Sequence, residues 1–181
     1  LMFSSTLGHY VDAKTFADFY QTFQTQPLIS MGEALDNIPS ILIDNDRGLR
    51  ELMIYLIEYH GYRQIAFICG PDNNPEAQAR YQVYRQVLDE YEIPFDPDLV
   101  TPGQFLLVSG TEAVEVLLDE RQVSFEAVVA ANDDMAVGTI DALLTRGIRV
   151  PDDIAVVGYD DNADSRYMMP PLTTVRQPVY E

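Results

Sequence analysis

The spacing of apolar residues distinguishes helices from strands along most of this 181-residue chain. Apolar positions that recur every three to four residues predict four amphipathic helices, over residues 46–60, 76–91, 109–120 and 133–146. Short unbroken apolar runs predict strands at Gln64–Cys69, Leu99–Val100, Ala127–Ala131 and Ile154–Val157. Strands that alternate with helices predict an α/β fold, in which helices flank a doubly wound parallel sheet.

The first 45 residues follow a less regular pattern. Aromatic side chains recur at helical spacing within Thr15–Phe23, which predicts an amphipathic helix. Leu28–Met31 and Ser40–Ile43 are short runs that predict strands. The regular alternation begins after them, which places a boundary near residue 45.

Local signals predict where some of the helices begin and end. Ser109 and Glu112 have the spacing of a capping box, in which side-chain and backbone groups bond reciprocally at a helix N-terminus. Gly61 and Gly147 follow the apolar stripes of their helices, as glycine does at helix C-termini. We therefore expect the third regular helix to begin at Ser109.

Polar clusters of Gly, Asn and Asp follow three of the predicted strands. They lie at Gly70–Asn74, Asn132–Asp134 and Gly158–Asn162. In an open parallel sheet, ligands bind beyond the carboxyl ends of the strands, which meet at one edge. The pattern therefore predicts a ligand site at that edge.

Side chains in and near these clusters suit a hydroxyl-rich neutral ligand. Asn74, Asn132 and Asp160 follow strand ends, and Arg80 lies one turn into the helix after the first cluster. Arginine donates hydrogen bonds, a carboxylate accepts them and an amide does both, so the set matches sugars, nucleosides or amides. Phe105 offers an apolar face for a sugar or base ring.

Three of these candidates also have a purely structural interpretation. Asn132 is equally suited to cap the helix that follows it. Arg80 has acidic neighbours with which it can pair, and Phe105 has the character of a core side chain. The residues alone leave both interpretations open for all three.

The charge balance argues against one class of partner. The chain has 29 acidic and 11 basic residues, and its formal net charge is −18. Nucleic-acid binding depends on Lys and Arg that neutralise phosphates, so we do not expect this chain to bind DNA or RNA directly. The same repulsion argues against binding to an anionic membrane surface.

No motif for catalysis or for a bound cofactor stands out. The chain lacks a nucleophile elbow, a zinc-protease motif, a phosphate loop and a dinucleotide fingerprint. Asp160, Asn162 and Asp164 have the spacing of the first ligands in a calcium loop. That loop needs Gly and Glu at two later positions, where Ser165 and Pro171 stand. We expect no metal, no cofactor and no enzymatic activity.

Several long motifs resemble the effector-binding domain of the lactose/galactose repressor family. They are Ile65–Pro71 with Arg80 and Tyr84 downstream, Ala131–Gly138, Val150–Asp161 and Pro170–Pro178. The similarity extends from about Met2 to Glu181. The resemblance implies the fold of type I periplasmic sugar-binding proteins, in which two α/β subdomains hold an effector between them.

The resemblance also implies six effector-site residues. Three occupy contacting positions, one occupies the aromatic position, and two stand where contacts vary with the effector. In that order they are Arg80, Asn132 and Asp160, then Phe105, then Asn74 and Glu76. The implied effector is a sugar or a related polyhydroxylated small molecule.

By the same resemblance the chain divides into three parts. Residues 1–45 correspond to the end of an N-terminal subdomain, and residues 46–174 correspond to the C-terminal effector-binding subdomain. Residues 175–181 would begin the return crossover to the first subdomain. A DNA-binding headpiece would lie outside this chain.

The expected function is effector sensing for a repressor-type transcriptional regulator. The family usually dimerises, and Val137 and Met168–Pro170 map to surfaces that could pair. The single cysteine, Cys69, fits a reducing, cytoplasmic compartment, and contact with DNA would belong to the headpiece. Two alternatives stay open. One is a sensor fused to a kinase or cyclase signalling module, and the other is a periplasmic sugar-binding protein.

Overall fold

Strands and helices alternate along the chain, in a computed structural model that describes residues 2–3, 13–23, 26–31, 34, 38–42 and 44–177. The strands are, in chain order, β1 (Met2–Phe3), β2 (Ser30–Met31), β3 (Ser40–Ile41), β4 (Ile65–Ile68), β5 (Val100–Thr101), β6 (Ala127–Ala130), β7 (Ala155–Asp160) and β8 (Thr173–Arg176). The helices are α1 (Ala13–Thr22), α2 (Asn45–Ile54), α3 (Pro75–Glu90), α4 (Leu107–Val114) and α5 (Asp133–Thr145). Wider π-helical turns at Tyr55–Tyr59 and Glu115–Glu120 continue α2 and α4. Within the described residues, no helix combines the length and the apolar character needed to cross a membrane.

A five-stranded parallel sheet forms the larger of the two sheets, with the strand order β5-β4-β6-β7-β8. Every residue of β4 and β6 is buried, because helices cover both faces of the sheet. The apolar faces of α2, α3, α4 and α5 pack onto these strands in one continuous core. The predicted α/β fold with a parallel sheet flanked by helices is therefore confirmed.

The strands before residue 45 form a separate sheet. β1, β2 and β3 are parallel and adjacent in that order. Ile43, the last residue of one predicted strand, lies outside the described residues, as do residues 178–181 of the predicted crossover. The division into residues 1–45, 46–174 and 175–181 stays a prediction.

The predicted start of α4 is wrong by two residues, and the predicted capping box is absent. The helix begins at Leu107 after an extended Leu106, whose side chain makes no capping hydrogen bond. Ser109 lies inside the first turn, where its hydroxyl accepts a hydrogen bond of 3.2 Å from the backbone N–H of Gln104. The serine thus holds the preceding loop, so its spacing from Glu112 is coincidental.

β7 is longer than the apolar run that predicts it. Its pairing with β8 continues to Asp160, which lies opposite Arg176. Tyr159 is buried inside this extension, and only the last residue of the strand is partly exposed. The polar cluster at Gly158 is therefore partly strand, because a neighbouring strand supplies backbone partners that the local sequence does not reveal.

α4 and α5 approach each other closely at two glycines. A side-chain methyl group on Gly138 would overlap the carbonyl oxygen of Leu107, and one on Gly110 would overlap that of Met135. The hydroxyl of Thr139 donates a 2.8 Å hydrogen bond to the same Met135 carbonyl. This contact fixes where α4, and the loop before it, lie against the sheet edge.

We expect Gly138→Ala to destabilise the chain by about 1–3 kcal/mol, because the added methyl group forces the two helix backbones apart. Urea unfolding followed by circular dichroism measures the loss. Thr145→Ala, at the exposed end of the same helix, is the control and should stay within about 0.5 kcal/mol of the unmodified chain. Equal stability of the two variants would contradict the close approach.

Candidate functional site

The carboxyl ends of β4, β6 and β7 lie side by side, and the predicted site residues follow them. Arg80 is at the centre of this edge. Its guanidinium contacts Glu76, Phe105 and Asp160, and Asn132 joins the group because its amide N–H donates to the carbonyl oxygen of Phe105. The structure thus brings five of the six predicted residues into one connected cluster.

Arg80 is almost completely buried, with 2% of its surface exposed. Its Nε donates to Oδ1 of Asn45 at 3.0 Å, and one terminal nitrogen donates to the carbonyl oxygen of Ala131 at 2.6 Å. The other terminal nitrogen lies 3.4 Å from Oε2 of Glu76 and 4.0 Å from Oδ1 of Asp160. Three elements therefore hold the guanidinium in one orientation, and its last nitrogen points toward two carboxylates.

Two residues that contact Arg80, Tyr159 and Asn45, are not predicted as site residues from the sequence. The Tyr159 ring lies under the guanidinium at 3.9 Å, an arrangement in which a cation is attracted to an aromatic face. Asn45, the first residue of α2, is also buried. A tyrosine next to Asp160 and an asparagine at a helix start were weak signals, because core packing and capping explain both equally well.

Asp160 combines partial burial with an unusual backbone conformation. Its φ angle is +132°, and φ of the next residue, Asp161, is +58°. A φ of +132° is costly for a residue with a side chain, and strained residues of this kind cluster at functional sites, whereas the left-handed φ of Asp161 is less unusual for aspartate. The side-chain amide of Gln177 donates a hydrogen bond to Asp160 Oδ1. The tertiary structure therefore holds this carboxylate in place at the end of β7.

The surroundings of Asp160 disfavour its ionised form. Burial is the main cause, and it raises the pKa of Asp160 from the usual 3.8 to about 6. The nearby carboxylates of Asp133 and Glu76 raise this pKa further, whereas Arg80 and the hydrogen bond from Gln177 lower it. Arg80 thus compensates only part of the negative charge at this edge.

Asp133, in the second of the three polar clusters that follow strands, is a buried carboxylate. It lies in the first turn of α5 and is completely buried. Its oxygens accept hydrogen bonds from the Asn162 backbone N–H at 2.8 Å, from the Ser165 hydroxyl at 2.8 Å and from the Thr174 hydroxyl. Asp133 therefore fixes the loop after β7 against β8, and with it the position of Asp160.

The two asparagines that the sequence predicts for the site, Asn74 and Asn132, both cap helices. Asn74 Oδ1 accepts from the Ala77 N–H at 2.9 Å and caps α3, and Asn132 Oδ1 accepts from the Met135 N–H at 3.0 Å and caps α5. The capping interpretation of Asn132 is thus confirmed, and its amide nitrogen is also engaged. Asn74 has no described contact with the Arg80 cluster and is the one predicted residue outside it.

Phe105 has a left-handed backbone conformation, with φ at +59°. Its ring packs against the core beside Gly70, where a side chain would overlap the ring. Its ring centroid lies 5.8 Å from the Arg80 guanidinium carbon. The aromatic ring thus borders the charged cluster and also contributes to the core, and its contact with a ligand ring stays a prediction.

The cluster forms a wall at the sheet edge, next to a cleft. A cleft of about 580 Å³ opens between α2 and the β7–β8 edge, and its lining includes Tyr159 but none of the six predicted residues. Among the described residues no group of three His, Cys, Asp or Glu side chains could hold a metal ion. Burial raises the pKa of the Cys69 thiol to about 12, so this cysteine is not activated as a nucleophile.

Comparison with known proteins identifies the family. Residues 55–181 match the periplasmic binding protein-like domain family. The probable HTH-type transcriptional repressor ExuR of Bacillus subtilis is 37% identical over 155 residues, which cover 84% of this chain and 46% of that protein. The chain thus spans about half the length of this relative.

Two solved structures are similar in both fold and sequence. A sugar-binding transcriptional regulator of the LacI family from Escherichia coli, complexed with phosphate, has a TM-score of 0.82 and 32% identity over 93% of this chain and 60% of its own. The regulator CelR in complex with cellobiose has a TM-score of 0.75 and 38% identity over 83% of this chain and 46% of its own. The chain therefore belongs to the LacI, or lactose/galactose repressor, family of transcriptional regulators, in which it corresponds to the periplasmic-binding-protein-like effector-binding domain.

Proposed function

We propose that the chain senses a small polyhydroxylated effector, such as a sugar, for a repressor-type transcriptional regulator. The observation that carries this proposal is the pairing of Arg80 and Asp160 at the sheet edge. The two side chains stand 4.0 Å apart, which is too far for a direct hydrogen bond. Family membership supports the same function, because ExuR is a probable repressor and one solved structure is a complex of CelR with cellobiose.

A ligand hydroxyl fits between these two side chains. An oxygen about 2.8 Å from each would accept a hydrogen bond from Arg80 and donate one to Asp160, since a hydroxyl does both. Glu76 offers a second acceptor next to Arg80, and Phe105 borders the same wall. In this proposal Asn132 acts mainly by placing the loop of Phe105 and the start of α5.

Arg80 also gives the effector a route to the rest of the protein. Its hydrogen bond to Asn45 reaches the start of α2, which directly follows the segment that leaves the three-stranded sheet. An effector that prefers one arrangement of the two sheets would shift the population toward it. We infer that this shift alters the spacing of DNA-binding headpieces carried by the complete protein.

The remaining partner assignments are parts of the same proposal. The regulator acts in the cytoplasm as a homodimer, with pairing surfaces that include Val137 and Met168–Pro170. Met169 is 87% exposed, which suits an apolar side chain that a partner covers. Contact with DNA belongs to the headpiece, since this chain has a net charge of −18. We propose no catalytic role, because no nucleophile and base emerge among these residues.

A thermal-shift screen of neutral sugars and nucleosides against the protein that the complete reading frame encodes tests this function. A ligand that binds only the native state raises the melting temperature. Such a ligand should also change the affinity of the protein for DNA of its own promoter region. If no compound does both, the proposed function is wrong.

We expect Asp160→Ala to abolish measurable effector affinity, at least about a 100-fold loss, because the effector hydroxyl loses its charged acceptor. Isothermal titration calorimetry measures the affinity, and circular dichroism verifies that the fold is retained. Asp141→Ala, an exposed acid on α5, is the matched control and should bind normally. Unchanged affinity in Asp160→Ala would remove this residue from the site.

The negative charge that Asp160 carries at neutral pH, and that we propose is needed for binding, should reduce the free energy of unfolding. Its raised pKa favours the protonated form, so the stability that protonation contributes is lost as the pH rises from about 4 through about 6. We therefore expect Asp160→Asn to be more stable than the unmodified protein at pH 7.5, by roughly 1–3 kcal/mol, and nearly equal at pH 4. Urea unfolding at several pH values measures the difference.

Asp161→Asn is the control for this pH dependence. The hydrogen bonds from Arg166 and Arg176 lower the pKa of Asp161 to about 2, so its charge stabilises the fold. This substitution should reduce stability at pH 7.5, in the opposite direction to Asp160→Asn. The same sign for both variants would contradict the assigned surroundings of Asp160.

A further inference from the structure

The donors of Arg80 are largely occupied within the protein. Asn45 and the Ala131 carbonyl take two of its nitrogens, and its lower face rests on the Tyr159 ring. The remaining nitrogen is near Glu76 and Asp160. An arginine that binds a carboxylate or phosphate frequently offers two parallel N–H groups to it, whereas here two of the three nitrogens already donate within the protein.

Acidic groups outnumber basic ones along the described part of this wall. The Glu76 and Asp160 side chains are 19% and 24% exposed, so a ligand can reach both. Asp133 adds a third carboxylate behind them, and it raises the pKa of Asp160. The arginines on the neighbouring β7–β8 side, Arg166 and Arg176, both pair with Asp161 and so do not offset these charges.

We propose that Glu76 and Asp160 together make this wall select effectors that are uncharged or carry an amine, and reject those that carry a carboxylate or phosphate. This inference rests on the proposed effector site and specifies its chemistry. Among the solved relatives, one structure is a complex with cellobiose and another is a complex with phosphate, so family membership leaves the charge of the effector open.

The physical basis is the mismatch between an anion and a wall of acceptors. Two carboxylates accept hydrogen bonds and donate none, so they favour hydroxyl and ammonium groups. An anionic group would lie near both carboxylates in a partly buried site, where charge repulsion is screened less than in water. Glu76 influences selectivity more than Asp160 does. It lies within hydrogen-bond distance of the Arg80 nitrogen that we propose the ligand also contacts.

Matched sugars test this selectivity in the complete protein. The pairs are D-glucose with D-glucuronate, D-galactose with D-galacturonate, and D-glucose with glucose 6-phosphate, and D-glucosamine tests the amine. We expect a neutral or amino sugar to bind at least about 30-fold more tightly than its acidic counterparts by calorimetry. An acidic compound that binds as tightly as its neutral counterpart would overturn the inference.

A single substitution then assigns the selectivity to Glu76. In Glu76→Gln the ratio between neutral and acidic ligands should fall by about tenfold, since one negative charge is removed at the site. Glu112→Gln removes the same charge from an exposed position on α4 and should leave the ratio unchanged. Equal ratios in the two variants would refute the role of Glu76.

Inorganic phosphate provides a test that does not depend on finding a sugar ligand. At 20 mM and at matched ionic strength with chloride, phosphate should not raise the melting temperature of the unmodified protein. It should raise that of the Glu76→Gln, Asp160→Asn double variant, in which Arg80 has no acidic partner. Equal stabilisation of both proteins would overturn the inference. If no sugar binds at all, the proposed sugar-sensing function fails, and the phosphate result still decides the charge selectivity.

Discussion

The buried guanidinium of Arg80 is the interaction on which the sheet edge depends. A charged group that is 2% exposed is stable only if its donors and its face have partners, and here three of the partners come from three different parts of the fold. Asn45 comes from the start of α2, Ala131 from the end of β6 and Tyr159 from β7. Removing a hydrogen-bond partner from such a group leaves a buried donor unsatisfied, which costs about 1–3 kcal/mol, so these elements are held together where the ligand is expected.

Two aspartates at this edge differ because their partners differ. Asp133 accepts three hydrogen bonds and is completely buried, so its oxygens are used within the protein. Asp160 accepts one hydrogen bond from Gln177 and stays 4.0 Å from Arg80, so it has acceptor capacity left for a ligand. The fully bonded carboxylate positions the loop, and the other remains available for binding. Such a division is typical of binding sites that a second layer of contacts holds in place.

Most of the fold could be predicted from the sequence. Strands that are buried on both faces of the sheet consist of apolar residues without interruption, which is simple to recognise. β4 and β6 are unbroken apolar runs, and the helices between the strands carry apolar stripes at regular spacing. The errors occurred where local and tertiary signals differ. Ser109 has the chemistry of a helix cap but bonds a preceding loop, and β7 continues to Asp160 because β8 pairs with it.

The sequence by itself determined that polar residues would follow three strands and that Arg80 and Asp160 would lie at one edge. The alternation of strands and helices requires this, since parallel strands all end on the same side. Only the tertiary structure decided which of these residues use their hydrogen-bonding groups internally. Arg80 and Asn45 are 35 positions apart, and Asp133 binds Thr174 at a separation of 41. Contacts between such distant residues depend on how the helices pack on the sheet, which local spacing does not specify.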